Sequence, residues 1–351
     1  MKHLLLVGQG IAGSTLALLA EERGIRVTCI GLPGLSNSSA VASGIWNPIV
    51  LKRMTLVWRA AEMLEALEAF YPKAQALTEE VFFHPMPVYR IFHSPAEVNE
   101  WQVKSTLPLW NTLLISDPVE LPAYIRAPYG AGKVLRTGYV NTVKYIEGVQ
   151  RRLQFLEWAF YEQFFYDKLK IKDSGVEYLG LWYDGVVFAD GMYAWQHNPW
   201  FPRTWMRPTR GDVLTLTDLP ADWNFILHFS HFVVPLADGQ WKLGATYDFK
   251  RPTPQPNLLM AGQMLDELKS VAEVTPVVTK AEAGVRPNTK DRRPMIGSHP
   301  EHPQVFFING LGSRGVLLAP KLSEWLLDWI TEGSPVPEEA DIKRCFPKNK
   351  D

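Results

Sequence analysis

A chain of 351 residues can bury a substantial core, as one large domain or two interlocked ones. Its 46% hydrophobic and 21% charged residues are a globular balance that excludes extended disorder. With 36 Lys and Arg against 37 Asp and Glu, no global field draws it to nucleic acid or an anionic membrane, and Cys29 and Cys345 alone exclude a disulfide framework.

From the N-terminus, Lys2 and the apolar residues after it have the look of a secretory signal, but Gly8, Gln9 and Gly10 interrupt the run. No stretch reaches the roughly 20 apolar residues that span a bilayer, and a cytoplasmic protein without a membrane span is expected. His3 to Val7 has the continuous apolar character of a strand buried on both faces, Ile11 to Glu22 the composition of a helix stopped by Gly24, and Arg26 to Ile30 that of a second strand. Strand, glycine turn, helix and strand thus follow within about 30 residues, the setting a dinucleotide fingerprint requires.

The stretch SNSSAVASGIWNPIV is too long for a simple turn and is a candidate cofactor clamp, with Ser43 and Gly44 its central residues. Leu56 to Phe70 has helical spacing, and Tyr71 to Tyr129 reads as an inserted segment of strands and short helices. Val143 to Phe155 is again helical, and strand character resumes at Val176, with Asp184 and Gly185 as a turn. Arg210 to His231 and Phe232 to Phe249 alternate apolar and polar residues around Asp238-Gly239, as antiparallel strands do. After a proline cluster, Leu258 to Val271 is helical. The end of the chain returns to a strand at Gln304 to Ile308, a turn at Gly310 to Gly315 and a helix from Val316 to Ile330. Most of Trp46, Trp58, Trp182, Trp195, Trp200, Trp205, Trp223 and Trp241 are expected in the core.

Gly8-Gln9-Gly10-Ile11-Ala12-Gly13 combines a tight turn, close backbone approach to a pyrophosphate and close packing of helix on strand. The N-terminus of the helix then faces the phosphate charge. A dinucleotide site usually carries an acid at the end of the second strand for the ribose hydroxyls. Gly31 occupies that position here, which leaves backbone, water, or Ser36, Asn37 or Ser38 to take the role. No spacing of His, Cys, Asp or Glu indicates a metal, and no catalytic triad is evident.

Two further segments are Ala283 to Gly297 (AGVRPNTKDRRPMIG) and Phe306 to Pro320 (FFINGLGSRGVLLAP). With the N-terminal fingerprint they make the chain similar to the D-amino-acid oxidase-like superfamily of flavoproteins, which includes glycine oxidase and the FAD domain of the bacterial enzyme that modifies tRNA wobble uridines. ASGIWNPIV, TGYVNTVKYI, YDGVVFADG, RGDVL and VVPLADGQWKLGATYDF match in the same order. The resemblance implies an α/β fold in which a Rossmann-like FAD-binding domain (1–70, 131–210 and 281–351) interleaves with an α+β, antiparallel-sheet substrate domain (71–130 and 211–280). It implies FAD as the cofactor, held by Gly8, Gly10, Ile11, Ala12, Gly13, Ser43, Gly44 and a second turn of Gly310, Gly312, Ser313, Arg314 and Gly315. The helix after that turn would aim its positive end at negative charge on the reduced flavin.

Arg286 matches the arginine that holds the substrate carboxylate in that superfamily, a task suited to a rigid two-pronged donor. Its alternative is a surface ion pair with the nearby Asp291. Arg314 is a further candidate substrate contact. Where glycine oxidase has a tyrosine this chain has Phe232, so either the substrate differs or Tyr247 or His228 fills the place; His231 is expected to be an ordinary strand histidine. The implied activity is oxidation of the C–N bond of an amino acid or secondary amine: FAD accepts a hydride at N5, water hydrolyses the imine, and dioxygen takes the electrons. The alternatives are a tRNA-modifying flavoenzyme, disfavoured by the balanced charge, and a non-enzymatic flavin-binding protein.

Overall fold

The computed structural model describes residues 2–31 and 38–347. In chain order the elements that build the site are β1 (His3–Val7), α1 (Ile11–Glu22), β2 (Arg26–Ile30), α2 (Ser38–Val41), α3 (Ala60–Thr78), β3 (Val88–Ile91), β4 (Leu114–Ile115), β5 (Ala131–Val134), α4 (Thr142–Phe155), β6 (Ala159–Phe160) and β7 (Gly185–Phe188). They continue with β8 (Thr209–Thr217), β9 (Ile226–His228), β10 (Phe232–Pro235), β11 (Trp241–Gly244), α5 (Leu258–Val271), β12 (Val277–Arg286), β13 (Met295–Ser298), β14 (Val305–Asn309) and α6 (Gly315–Glu332).

The expected α/β architecture is present. A six-stranded sheet has the order β6-β2-β1-β7-β14-β13, all parallel except β13 against β14. Strand order reverses at β1, since the chain moves to β2 on one side and places β7 on the other, and ligands of such sheets bind at the carboxyl ends of the strands at that reversal. Alternation within β1 explains the two-faced burial: Leu4 and Leu6 face a core shared with α1, α3, α4 and α6, whereas Leu5 and Val7 face a second core with Val186, Phe188 and Phe307.

The second sheet has eight strands in the order β12-β8-β11-β10-β9-β3-β5-β4, antiparallel apart from β9 beside β3. Its backbone is α5 and a core of Leu214, Leu216, Trp223, Leu227 and Leu243. The alternation expected for residues 210–217 does not translate into a half-exposed strand. Every residue of β8 except its last is buried, because Arg210 and Asp212 point into polar contacts inside the protein.

Three local expectations change. The helix expected at 56–70 starts at Ala60 and runs to Thr78, through Pro72. A mid-helix proline removes one hydrogen bond, but the buried Phe70, Tyr71 and Ala74 carry the helix past it, and the Tyr71 hydroxyl donates to Val316 O at 3.1 Å. Thr55–Leu56 pairs instead with Ile49–Val50. Asp184 and Gly185 are not a hairpin turn: Asp184 bends the chain out of the 169–183 meander and Gly185 already belongs to β7. Of the eight tryptophans named above, only Trp46, Trp223 and Trp241 are buried; Trp182 is exposed and the others half-buried.

Packing of α6 against α1 and α3 is what brings the last glycine turn beside the first. Leu322→Ala, at a fully buried position of α6, is expected to cost about 3 kcal/mol as a lost apolar contact plus a cavity, read as a lower urea midpoint at unchanged slope.

Candidate active site

The first glycine turn lies at the carboxyl end of β1, where backbone comes too close for side chains. A Cβ on Gly13 would stand 2.0 Å from Gly8 O, and one on Gly8, which has φ +103°, would stand 2.6 Å from Ala189 O at the end of β7. Helix α1 therefore seats directly on the strand, with its N-terminal N–H groups at the sheet edge. One of them, Ile11 N–H, donates to Ser39 Oγ at 3.1 Å. Ser39 was not singled out from sequence, because only the fold brings α2 over this turn. Ser38 opens α2, while Ser36 and Asn37 lie outside the described residues.

Ser43 and Gly44 leave α2 beneath the second sheet. Gly44 passes so close to Val140 that a Cβ would meet its carbonyl at 1.8 Å, and Ser43 is half-buried beside it. Lys242 of β11 fastens this segment by donating from Nζ to Val41 O at 3.2 Å and Ala42 O at 3.0 Å. Burial depresses its ammonium below the ordinary lysine range.

The second turn follows β14, parallel to β1, so both turns open at one edge of the sheet. Gly315 touches the first turn, since a Cβ there would stand 2.8 Å from Ile11 Cγ2. Gly310 and Gly312 pack against the segment after Arg286: added Cβ atoms would meet Thr289 Cγ2 at 2.7 Å and Asn288 Oδ1 at 2.4 Å. Ser313 is exposed, and Arg314 caps α6 while its Nη1 donates to Asn47 O at 3.1 Å. All three motifs thus meet in one place.

Arg286, Arg314 and Tyr247 converge there. The Arg286 guanidinium lies 4.3 Å from the centroid of the Tyr247 ring, and Nη1 donates to Thr246 O at 3.1 Å and Arg210 O at 3.4 Å. It rests flat on β8 because Gly211 has no side chain; a Cβ there would meet Nη2 at 2.0 Å. Below it, the fully buried Asp212 accepts from Thr246 Oγ1 at 2.5 Å and from Asn257 N–H at 2.8 Å, and Arg210 pairs with Asp248. Neither Arg286 nor Arg314 has an ion pair among the described residues. Asp291, the suggested partner of Arg286, pairs with Arg344 instead. Burial lowers both arginine pKa values, opposed by Tyr247 at both and by the buried Asp212 at Arg286, so two desolvated cations lie near Tyr247.

His228 does not reach this cluster as a free group. Its Nδ1 is 3.2 Å from Arg90 Nη1, its ring packs on Phe232, and burial holds it well below the ordinary histidine pKa. His231 sits 3.4 Å from Glu267. His299, Glu301 and His302 bring potential metal ligands within 4.8 Å of one another, a grouping that sequence spacing did not signal. Nδ1 of His299 accepts the Glu301 N–H at 3.1 Å, so the neutral ring carries its proton on Nε2 and offers a cation no lone pair.

The residues fit a bound dinucleotide: glycines line the edge where a side chain would fill the space, and the buried amide nitrogens of Gln9 and Asn47 have no nitrogen or oxygen acceptor among the described residues. An FAD dependent oxidoreductase family model matches residues 3–329, and the chain belongs to that family. Its enzymes are FAD-dependent, and FAD is the cofactor. Glycine oxidase of Pseudomonas aeruginosa is 25% identical over 371 residues, 97% of each chain. Glycine oxidase of Bacillus licheniformis is 31% identical over 135 residues, which are 38% of this chain and 36% of the relative's length. The tRNA 5-methylaminomethyl-2-thiouridine biosynthesis bifunctional protein MnmC of Caulobacter sp. is 34% identical over 44% of this chain and 26% of its own. Similar folds include iminodiacetate oxidase of Chelativorans sp. (TM-score 0.79, 17% identity, 95% and 97% covered) and glycine oxidase of Bacillus cereus (0.78, 19%, 96% of each). No described helix is long and apolar enough to cross a membrane.

Asp190, after β7, has a carboxyl pushed up to about 6 by burial, against hydrogen bonds from Asn198 and Tyr166. A folded pKa above the unfolded value means that its contribution to stability is complete below about pH 4 and is lost as pH rises through about 6, roughly 3 kcal/mol in all. Urea unfolding should show the wild type losing about that much relative to Asp190→Asn between pH 4 and 7; parallel pH profiles would refute the assignment.

Proposed function

We propose that this enzyme oxidises the C–N bond of an amino acid or secondary amine that carries a carboxylate, with hydride passing to N5 of the bound flavin. The observation that carries this is the pair of half-buried guanidinium groups, Arg286 and Arg314, which lack acid partners among the described residues and converge on Tyr247 beside the two glycine turns. Desolvated cations whose one nearby acid, the buried Asp212, is already engaged by Arg210, Thr246 and Asn257 are costly, and a substrate carboxylate supplies further compensating charge.

In this proposal Arg286 binds the carboxylate with the donors left over from its two carbonyl bonds, and Gly211 fixes the plane in which they are offered. Tyr247 walls the site with its ring, and its hydroxyl, which has no partner among the described residues, is free to meet the substrate. Arg314 caps α6 and adds positive charge where reduced cofactor accumulates negative charge. A neutral amine placed over the flavin by these contacts needs no further base from the protein to lose hydride. The name of the iminodiacetate oxidase, which shares the fold, supports a secondary amine with carboxylate arms as one substrate type. Dioxygen is the proposed acceptor and the cytoplasm the proposed location. We place the FAD-binding domain at 1–70, 131–210 and 281–351 and the substrate domain at 71–130 and 211–280, although β5 and Thr209–Arg210 of β8 run in the sheet that is mainly the latter's.

A tRNA substrate is the second candidate, favoured by the match to MnmC. Against it, the balanced formal charge of −1 supplies no global attraction for a polyanion. Binding of tRNA that weakens steeply with salt would favour it.

Arg286→Ala is expected to raise KM for carboxylate-bearing amines about 100-fold, the scale of a charge-assisted pair, with a smaller effect on kcat and with Arg286→Lys intermediate. Oxygen uptake is the assay, and an unchanged KM removes Arg286 from the substrate site.

A further inference from the structure

Gly31 stands directly after β2, where dinucleotide folds place an acid that accepts hydrogen bonds from the adenosine ribose. No side chain extends from this position, and the space beside it is taken by Gln9, the second residue of the glycine turn. A Cβ on Gly31 would touch Gln9 Cγ and N at 3.5 Å and Cβ at 3.6 Å, ordinary van der Waals contacts. The Gln9 side chain therefore lies along the end of β2 while its backbone belongs to the turn after β1.

Its amide is held from one side only. Gln150 of α4 donates from Nε2 to Gln9 Oε1 at 3.4 Å, so the carbonyl end faces the helix. The Gln9 Nε2 atom is buried and has no nitrogen or oxygen acceptor among the described residues, its one polar contact being the Cys29 thiol. Burial keeps that thiol protonated, a weak acceptor at best. A buried donor without an acceptor costs about 1–3 kcal/mol, and such groups persist where a ligand completes them.

We propose that Gln9 is the adenosine-ribose contact of this enzyme, donating from Nε2 to a ribose hydroxyl oxygen in place of the carboxylate that accepts from it in other dinucleotide folds. The polarity of the contact is reversed and the ribose end of the site carries no negative charge. Gly31 and Gln9 are then one substitution in two places: the glycine removes the acid, and the amide beside it takes over the contact. The inference rests on the family's cofactor and is independent of which amine is oxidised.

The test is binding, not turnover. Protein stripped of cofactor is titrated with FAD by quenching of flavin fluorescence, and ADP is used as a competitor because it carries only the adenosine half. Gln9→Ala, and Gln9→Met as a variant that keeps the bulk against Gly31, should each weaken FAD and ADP by about tenfold, the size of one hydrogen bond to a buried donor. Adding Gly31→Glu to Gln9→Ala should recover most of that loss, while Gly31→Glu alone, crowded by Gln9, should not tighten binding. Unchanged FAD affinity in both Gln9 variants overturns the proposal. So does a loss for FAD that leaves ADP competition untouched, since it would place the effect away from the ribose.

Discussion

Everything at the site depends on one close approach, that of Gly13 on the carbonyl of Gly8. It seats α1 on β1 without an intervening side chain and leaves the helix N-terminus at the sheet edge. Since β14 runs parallel to β1 with only β7 between them, the Gly310 turn opens at the same edge, and Gly315 packs on Ile11 to join the two turns. One geometric constraint thus brings both glycine turns to one edge of the first sheet.

The second sheet contributes the charge. Its strand β8 is buried on both faces, an arrangement that would be unfavourable for Arg210 and Asp212 if their hydrogen bonds were not internal. Thr246 links the two layers, its hydroxyl donating to Asp212 and its carbonyl accepting from Arg286. Arg286 is consequently held in orientation by neutral carbonyls, and its charge is the one that the proposed substrate carboxylate would meet. A carboxylate in contact with it would have neutralised the site.

Much of the scaffold was legible in the sequence because its signals are local. The apolar run of β1, the bounds of α1 and the glycine spacing each report on residues close in the chain, and α1 and α5 have the expected limits. The expected helix end at Phe70 falls short of Thr78, because burial of Tyr71 and Ala74 outweighs the backbone bond lost at Pro72. Among the proposed site residues, the glycines and arginines stand out in the sequence through their motifs, and the fold brings them together. Ser39, Lys242, Asp212 and Thr246 were not found, since each acts on a segment distant in sequence: Lys242 reaches across 200 positions to Ala42. Gln9 was in plain view inside the fingerprint, yet its meaning needed the contact with Gly31. The similarity to glycine oxidases adds family and cofactor, and the geometry around Arg286 carries the substrate class.

The most direct test of that class is anaerobic mixing of the FAD-loaded protein with paired amines that differ only in a carboxylate, followed by flavin absorbance. Rapid bleaching by amines bearing the carboxylate, and slow or no bleaching by their counterparts lacking it, is the predicted result. Equal bleaching by both, or none by either, would contradict the account.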